Sequence, residues 1–290
     1  MDEVQTLILG LIAGVTIVFG LPLGRLRSAR HSRTAPAVRV FLNAFAIGIL
    51  IFIMWDLLNH AWETVGATVD KIHDGSGSMA PVLGFGALLF AGLGVGLLSL
   101  AGYERWLTAE GPIPLLGPGT MAADELTLRK SETKSDSWTA ARRLALLIAV
   151  GIGLHNFGEG LAIGGSAAQG KIALATLLVT GFALHNATEG FGIVAPLATE
   201  QEQPSWGFLL LLGLIGGGPT VLGTLIGHQF TSDAVSLVFL TLAAGSILYV
   251  IIQLVAIALR GGHRALLYWG MWVGLVAGFA TDMVLTAGGA

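Results

Sequence analysis

The sequence predicts an all-α membrane protein with eight transmembrane helices, and three observations support this fold class. Hydrophobic side chains make up 54% of the 290 residues and charged side chains only 11%, whereas a soluble domain carries about 25% charged residues. The apolar residues form eight segments long enough to cross a hydrocarbon core, which requires roughly 20 helical residues. The 42 glycines fall largely inside these apolar runs, as in closely packed membrane helices. An ordinary soluble globular fold is therefore excluded.

Each predicted span is an apolar run bounded by polar or charged residues. The spans cover 4–23, 39–60, 81–103, 142–168, 172–198, 206–228, 234–259 and 265–287. The first is expected to remain as a membrane helix, because the chain begins Met1-Asp2-Glu3 without the basic region of a signal peptide. Cysteine is absent, which excludes disulfides, thiolate metal sites and cysteine nucleophiles.

The basic residues predict the orientation of the spans. Of the 15 lysines and arginines, all but Lys71 and Lys171 lie in the links between spans one and two, three and four, and seven and eight, or at the first residues of the spans that follow these links. The positive-inside rule assigns these three links to the cytoplasm. Both termini are then expected outside.

The link between spans three and four is the longest. Residues 104–141 contain the stretch GPIPLLGPGT and then DELTLRKSETKSDS, whose polarity predicts a flexible cytoplasmic segment. Small-xxx-small pairs recur within the spans, and an eight-helix bundle needs such pairs for its own packing. They are Gly10/Gly14, Gly92/Gly96, Gly160/Gly164, Gly213/Gly217, Gly223/Gly227 and Gly274/Gly278.

Spans four and five contain the same polar string, H-N-x-x-E-G. It comprises His155, Asn156 and Glu159 in span four, and His185, Asn186 and Glu189 in span five. Helical residues four apart share a face, so each histidine stacks on its glutamate, with the asparagine next to that face. The turn near Gly170 is fifteen residues from either histidine. An antiparallel hairpin therefore predicts that the four ionisable groups converge at one depth.

Two buried carboxylates beside two histidines indicate a metal site. A charge at mid-bilayer costs roughly 2.5–3.5 kcal/mol even on insertion scales, so such groups rarely serve packing alone. A lone Asn or His, by contrast, is often an interhelical hydrogen-bonding residue. Imidazole and carboxylate ligands suit Zn²⁺, and they also accept Mn²⁺, Fe²⁺ or Co²⁺; without cysteine, Cu⁺ is disfavoured.

The segments HNFGEGLAIG and ALHNATEG resemble the fourth- and fifth-helix motifs of the ZIP (Zrt/Irt-like) metal transporters. In span seven, AAGSILYVIIQL is similar to the family's AGxxLYVxxxEL, with Gln253 where an acid is common. DLLNHA, in span two, is similar to HLLPEA, with Asp56, Asn59 and His60 substituted. The eight spans, the outward termini and the long third link agree with the family.

The resemblance implies a metal site of His155, Glu159, His185 and Glu189, with Asn156 and Asn186 lining a neighbouring site. The transported and bound ion would be Zn²⁺, with Fe²⁺, Mn²⁺, Co²⁺ or Cd²⁺ as alternatives. The sequence departs from the family in three respects. Gly158 and Thr188 replace the proline before each motif acid, Asn186 stands where relatives often carry an acid, and loop 104–141 lacks histidine.

Further polar residues are candidates for the entrance or pathway. Asp56, Asn59, His60 and Glu63 follow helical spacing at the outer end of span two, and Asp282 lies near the outer end of span eight. Such a group could form a cation-attracting mouth, and an ordinary interfacial helix end explains it equally well. We group Asp56, His60, Gln253 and Asp282 as candidate entrance or pathway residues.

The sequence thus predicts one transmembrane transporter domain over 1–290 that carries divalent metal, most readily zinc, into the cytoplasm by alternating access. The expected setting is a lipid bilayer, as the plasma (inner) membrane of a prokaryote. The resemblance implies a homodimer, and no nucleic-acid partner is expected. The alternative is an intramembrane metal-dependent hydrolase or oxidase. H-E-x-x-H and the di-iron Glu-x-x-His pair, both absent from the sequence, argue against that enzyme.

Overall fold

A computed structural model of the chain describes residues 1–25, 35–109, 139–194, 197, 203–260 and 264–287. Over these residues the structure has eight α-helices and no strands, which confirms the predicted fold class. The helices are α1 Glu3–Val15, α2 Ala35–His73, α3 Met79–Ala109, α4 Ala140–Ala168, α5 Ile172–Val194, α6 Trp206–His228, α7 Asp233–Arg260 and α8 Arg264–Ala287. Within the described ranges, α2, α3, α4, α6, α7 and α8 are each long and apolar enough to span a membrane.

The first predicted span is helical but not α-helical throughout. The α-helix ends at Val15, and the chain continues as 3₁₀-helix over Thr16–Phe19 and Leu21–Arg25. Pro22 lacks the amide proton that an α-helical bond to Val18 would need, which favours a change of geometry in this region. Asp2 caps the start of α1, since its carboxylate accepts a hydrogen bond from the Gln5 amide at 2.7 Å.

Two other boundaries differ from the prediction. Helix α2 continues past residue 60 to His73, so Asp56–Glu63 lies within the helix instead of at its end. Helix α3 continues to Ala109, so the first part of the predicted 104–141 loop is helical. The flexible segment predicted for the rest of that loop falls on 110–138, which lie outside the described residues.

Helices α4 and α5 occupy the centre of the bundle. Helix α4 packs on α5, α6 and α7, whereas α5 packs on α1, α2 and α4. Of the apolar 18-residue stretch in each helix, only 17% is buried in α3 and 22% in α8, compared with 72% in α4. Any polar group at the facing surfaces of α4 and α5 is therefore shielded by a surrounding layer of helices.

Glycines allow the helix pairs with the most extensive contacts to pack closely. Helix α4 runs along α6, α2 along α8, and α3 along α7. A Cβ atom at Gly160 would collide with the Thr220 carbonyl, and one at Gly96 would collide with the Leu242 carbonyl. The glycines therefore serve packing inside the bundle, as the small-xxx-small pairs predicted.

A tight turn between α4 and α5 makes the central hairpin. Gly170 has a φ of 74°, a left-handed conformation that costs glycine little and other L-residues more. The Gly170 amide donates to the Ala167 carbonyl at 3.1 Å, and the Lys171 amide donates to the Ser166 carbonyl at 2.9 Å. The hairpin predicted around Gly170 is confirmed.

Candidate metal centre

The two H-N-x-x-E-G motifs meet in the middle of the α4–α5 hairpin. His155 and Glu159 lie one helical turn apart on α4, and His185 and Glu189 lie one turn apart on α5. The side chains of His155, Glu159, His185 and Glu189 are at most 5% exposed. Antiparallel packing about the Gly170 turn therefore places both motifs at one depth, which is the convergence that the motif spacing predicts.

Glu159 lies between the two imidazoles. Its Oε1 atom is 3.1 Å from His155 Nε2 and 3.2 Å from His185 Nε2. Glu189 Oε1 lies 3.8 Å from each of the same nitrogens. The four side chains thus form one compact cluster, in which both imidazoles present Nε2 to both carboxylates.

These separations are close to those of ligands around one small cation. Ligand atoms about 2.0–2.1 Å from a tetrahedral zinc ion are separated from one another by about 3.3 Å. The nitrogen–oxygen distances of 3.1–3.8 Å bracket this value. The coordinating atoms of His155, Glu159 and His185 also lie within 4.8 Å of one another. Glu189 lies outside this tighter group of three, although its Oε1 atom is 3.8 Å from both imidazole nitrogens.

The carboxylates have a further feature of metal ligands. Both oxygens of Glu159 and both oxygens of Glu189 are buried without a hydrogen-bond donor of good geometry among the described residues. Buried carboxylates ordinarily find such donors or a cation. The donor set of two imidazoles and two carboxylates, with a formal charge of −2 when the histidines are neutral, suits a divalent ion.

The motif asparagines point partly away from this cluster. Asn156 Nδ2 donates a hydrogen bond to the Gly216 carbonyl on α6 at 3.0 Å. Asn186 Nδ2 donates to the Ala13 carbonyl on α1, also at 3.0 Å. Their Oδ1 atoms are buried and accept no hydrogen bond from the described part of the chain, so each oxygen remains available as a ligand.

Of the candidate entrance or pathway residues, Asp56, His60 and Asp282 lie close together, and Gln253 lies apart from them. His60 Nδ1 lies 3.6 Å from Asp56 Oδ1, and Asp282 and Glu63 are near enough to Asp56 to repel its charge. Asp56 is only 5% exposed. Its helix neighbour Ile53 packs against Gly181 of α5, one turn from His185. The group therefore lies on the predicted outer side of the cluster.

Gln253 lies on the predicted cytoplasmic side of the cluster, opposite Asp56, His60 and Asp282. Gln253 Nε2 and the Tyr249 hydroxyl both donate to Glu104 Oε2 at 2.9 Å. In the same region the Tyr103 hydroxyl donates to the Leu147 carbonyl at 2.7 Å, which joins α3 to α4. The sequence singled out Gln253 by resemblance but offered no signal for Glu104, because a lone glutamate at a helix end has many ordinary explanations.

Phe182 is a second residue that sequence patterns did not reveal. Its ring meets His185 edge-on, with centroids 5.8 Å apart and planes at 83°. The side chain is fully buried, so it limits the directions in which the imidazole can turn. An apolar residue in an apolar span carries no sequence signal of such a role.

Comparison with known proteins agrees with the motif resemblance. Residues 116–286, more than half of the chain, match the family model described as ZIP Zinc transporter. Proteins named Zinc transporter ZupT, from Salmonella newport, Salmonella typhimurium and Salmonella typhi, are each 31% identical over 157 residues. That alignment covers 54% of this chain and 48% of each relative, so the chain spans about half the length of the curated relatives it matches. By its match to the family model, the chain belongs to the ZIP zinc transporter family.

Proposed function

We propose that the protein transports divalent metal ions, zinc first among them, through the cluster of His155, Glu159, His185 and Glu189. The observation that carries the proposal is a pair of buried carboxylates that share two imidazoles and lack hydrogen-bond donors of good geometry within the described residues. Such a group is costly in a bilayer unless a cation uses it. The family match and the names of the zinc-transporting relatives support zinc as the substrate.

Transport requires the cluster to open to each side in turn. In this structure the four side chains are enclosed by helices. Asp56, His60 and Asp282 form a polar group on the predicted outer side, whereas Gln253 and Glu104 lie toward the predicted cytoplasmic side. We infer uptake into the cytoplasm along this axis by alternating access, driven by the ion gradient, the membrane potential or a coupled ion.

The charge of the cluster favours one tightly held ion per chain. Glu159 and Glu189 supply two negative charges, which balance one divalent cation. Asn156 and Asn186 could contribute Oδ1 to a neighbouring site but add no charge, so a second cation would stay uncompensated inside the membrane. We therefore propose that the neighbouring site binds weakly or transiently.

The proposed setting is the inner membrane of a prokaryote, with both termini outside and two copies of the single transmembrane domain forming a homodimer. The broad apolar surfaces of α3 and α8, which the other described helices leave largely uncovered, are available to lipid or to a second copy. Chemical crosslinking in the membrane, read as the ratio of dimer to monomer, tests the oligomeric state.

Metal uptake by proteoliposomes tests the proposed function. Purified protein in vesicles is expected to give saturable zinc accumulation that protein-free vesicles lack, and competition with Fe²⁺, Mn²⁺, Co²⁺ and Cd²⁺ gives the selectivity. The alternative of a membrane metalloenzyme predicts turnover of a substrate without metal accumulation. Zinc entry equal to that of protein-free vesicles would contradict transport.

A further inference from the structure

Each H-N-x-x-E-G motif contacts both the candidate metal centre and a neighbouring helix. The histidine and glutamate face the candidate metal centre, while the asparagine amide donates to a neighbouring helix; Asn156 also lies beside Glu189 of the centre. Asn156 donates to the Gly216 carbonyl on α6, and Asn186 donates to the Ala13 carbonyl on α1, both at 3.0 Å. Both asparagines are fully buried, so water does not compete for these bonds.

The glycine of each motif repeats the arrangement one turn later. A Cβ atom at Gly160 would strike the carbonyl of Thr220, and one at Gly190 would strike the carbonyl of Ile17. Thr220 is four residues after Gly216, and Ile17 is four residues after Ala13. Helix α4 is therefore joined to α6, and α5 to α1, by the same pair of contacts in the same register.

The acceptor carbonyl in α1 precedes a change of helix geometry, whereas the acceptor carbonyl in α6 lies inside a continuous α-helix. In α6, Pro219 has no amide proton, and the carbonyl that therefore lacks its helical donor is that of Ile215, next to Gly216. Thr16 follows Ala13 by three residues, and there α1 changes from α- to 3₁₀-helix. Within a bilayer, neighbouring helices and side chains help to satisfy backbone groups near a proline or a change of helix type. The Thr16 hydroxyl also donates to the Ala13 carbonyl, at 2.7 Å.

We propose that Asn156 and Asn186 are positioning residues that fasten α4 to α6 at the Gly216 carbonyl and α5 to α1 at the Ala13 carbonyl. Each amide N–H fixes the rotation and depth of the helix that carries one His/Glu pair, and so sets the separations within the cluster. We call the hydrogen bonds of Asn156 to Gly216 and of Asn186 to Ala13 the fastening. These bonds do not require a metal, whereas their effect on a bound metal rests on the proposed function. An Asp at either position keeps an oxygen but loses the N–H donor, and its charge faces a carbonyl oxygen.

Hydrogen exchange in metal-free protein tests the fastening directly. In Asn186→Asp, amide exchange over residues 17–20 should rise about tenfold while α6 stays unchanged; in Asn156→Asp, the rise should appear over residues 216–220 and spare α1. Ser166→Ala is the control, because it also removes a buried polar group from the hairpin. Unchanged exchange in both helices, or an equal rise throughout the bundle, would overturn the proposal.

The visible absorption spectrum of bound Co²⁺ reports whether the fastening sets the ligand geometry. Asn156→Ala and Asn186→Ala should shift the spectrum, whereas Ser166→Ala should leave it at the wild-type position. If the asparagines act only as ligands, the Asp variants should instead bind Co²⁺ more tightly with unchanged exchange, and that result would refute the positioning role. Failure of the wild-type protein to bind Co²⁺ would count against the proposed metal centre, while the exchange result would still decide the fastening.

Discussion

At the scale of single residues, Glu159 and Glu189 are the side chains whose burial is hardest to explain without a cation. Their oxygens are withdrawn from water and have no hydrogen-bond donors of good geometry in the described ranges. His155 and His185 lie close enough to share a metal with them. Substitutions of the two acids therefore test the centre most directly.

Glu159→Ala and Glu189→Ala are each expected to reduce saturable zinc uptake at least about a hundredfold. Removing one partner from a buried charge pair typically costs 3–5 kcal/mol, roughly two or more powers of ten in an equilibrium constant. Uptake normalised to the amount of inserted protein is the measurement. Glu3→Ala, at an exposed glutamate in the first turn of α1, is the matched control, and wild-type kinetics in Glu159→Ala would remove Glu159 from the site.

The histidines are expected to govern which metal is preferred. His155→Ala or His185→Ala leaves a site richer in carboxylate, which favours Mn²⁺ relative to Zn²⁺. Competition uptake should show the Zn²⁺/Mn²⁺ preference falling about tenfold or more, whereas His73→Ala, at an exposed position, should leave it unchanged. An unaltered preference in both cluster variants would mean that the imidazoles do not contact the ion.

At the scale of helices, small residues decide where the bundle closes. Gly94 and Gly96 lie two residues apart on α3, so their positions face different surroundings. A Cβ atom at Gly96 would collide with the Leu242 carbonyl of α7, whereas one at Gly94 meets nothing within 4 Å. This pair separates the cost of overpacking from the gain in helix propensity.

Gly96→Ala is expected to destabilise the protein by about 1–3 kcal/mol, because the added methyl group forces α3 and α7 apart. Gly94→Ala should be neutral or stabilising by up to about 1 kcal/mol, since alanine has a higher helix propensity than glycine. Thermal unfolding in detergent of both variants provides the comparison. Equal stability of the two would show that α3 and α7 are not in close contact.

At the scale of the whole molecule, orientation and stoichiometry are the properties to measure. The absence of native cysteine makes each introduced thiol a unique label. Ser131→Cys should be protected from an impermeant thiol reagent in intact cells, while Ser76→Cys, at the exposed turn between α2 and α3, should react. The opposite pattern would reverse the orientation.

Metal content tests the charge balance of the whole chain. Elemental analysis at modest zinc excess should find one tightly held ion per chain, because only Glu159 and Glu189 add negative charge at the cluster. Chelation should remove this ion, and Glu189→Ala should lower the content below one. Two equally tight ions in the wild-type protein would show that another carboxylate, such as Asp56, supplies the missing charge.

Sequence patterns were sufficient to predict the membrane class, the eight helices, the hairpin turn and the convergence of the two motifs. These follow from the length of apolar runs and from the four-residue helical period, which are local properties. The His/Glu spacing predicted a shared cluster because one tight turn joins the helices that carry it.

Only the folded chain shows which helices are neighbours and which carbonyls accept hydrogen bonds from the asparagine amides. In a membrane span, faces toward lipid and faces toward other helices are both apolar, so the pattern of hydrophobicity does not reveal partners. The acceptors on α1 and α6 are backbone carbonyls, which every residue possesses, and Glu104 meets Gln253 only because α3 packs on α7. Such contacts arise from the packing of distant segments, and no local pattern encodes them.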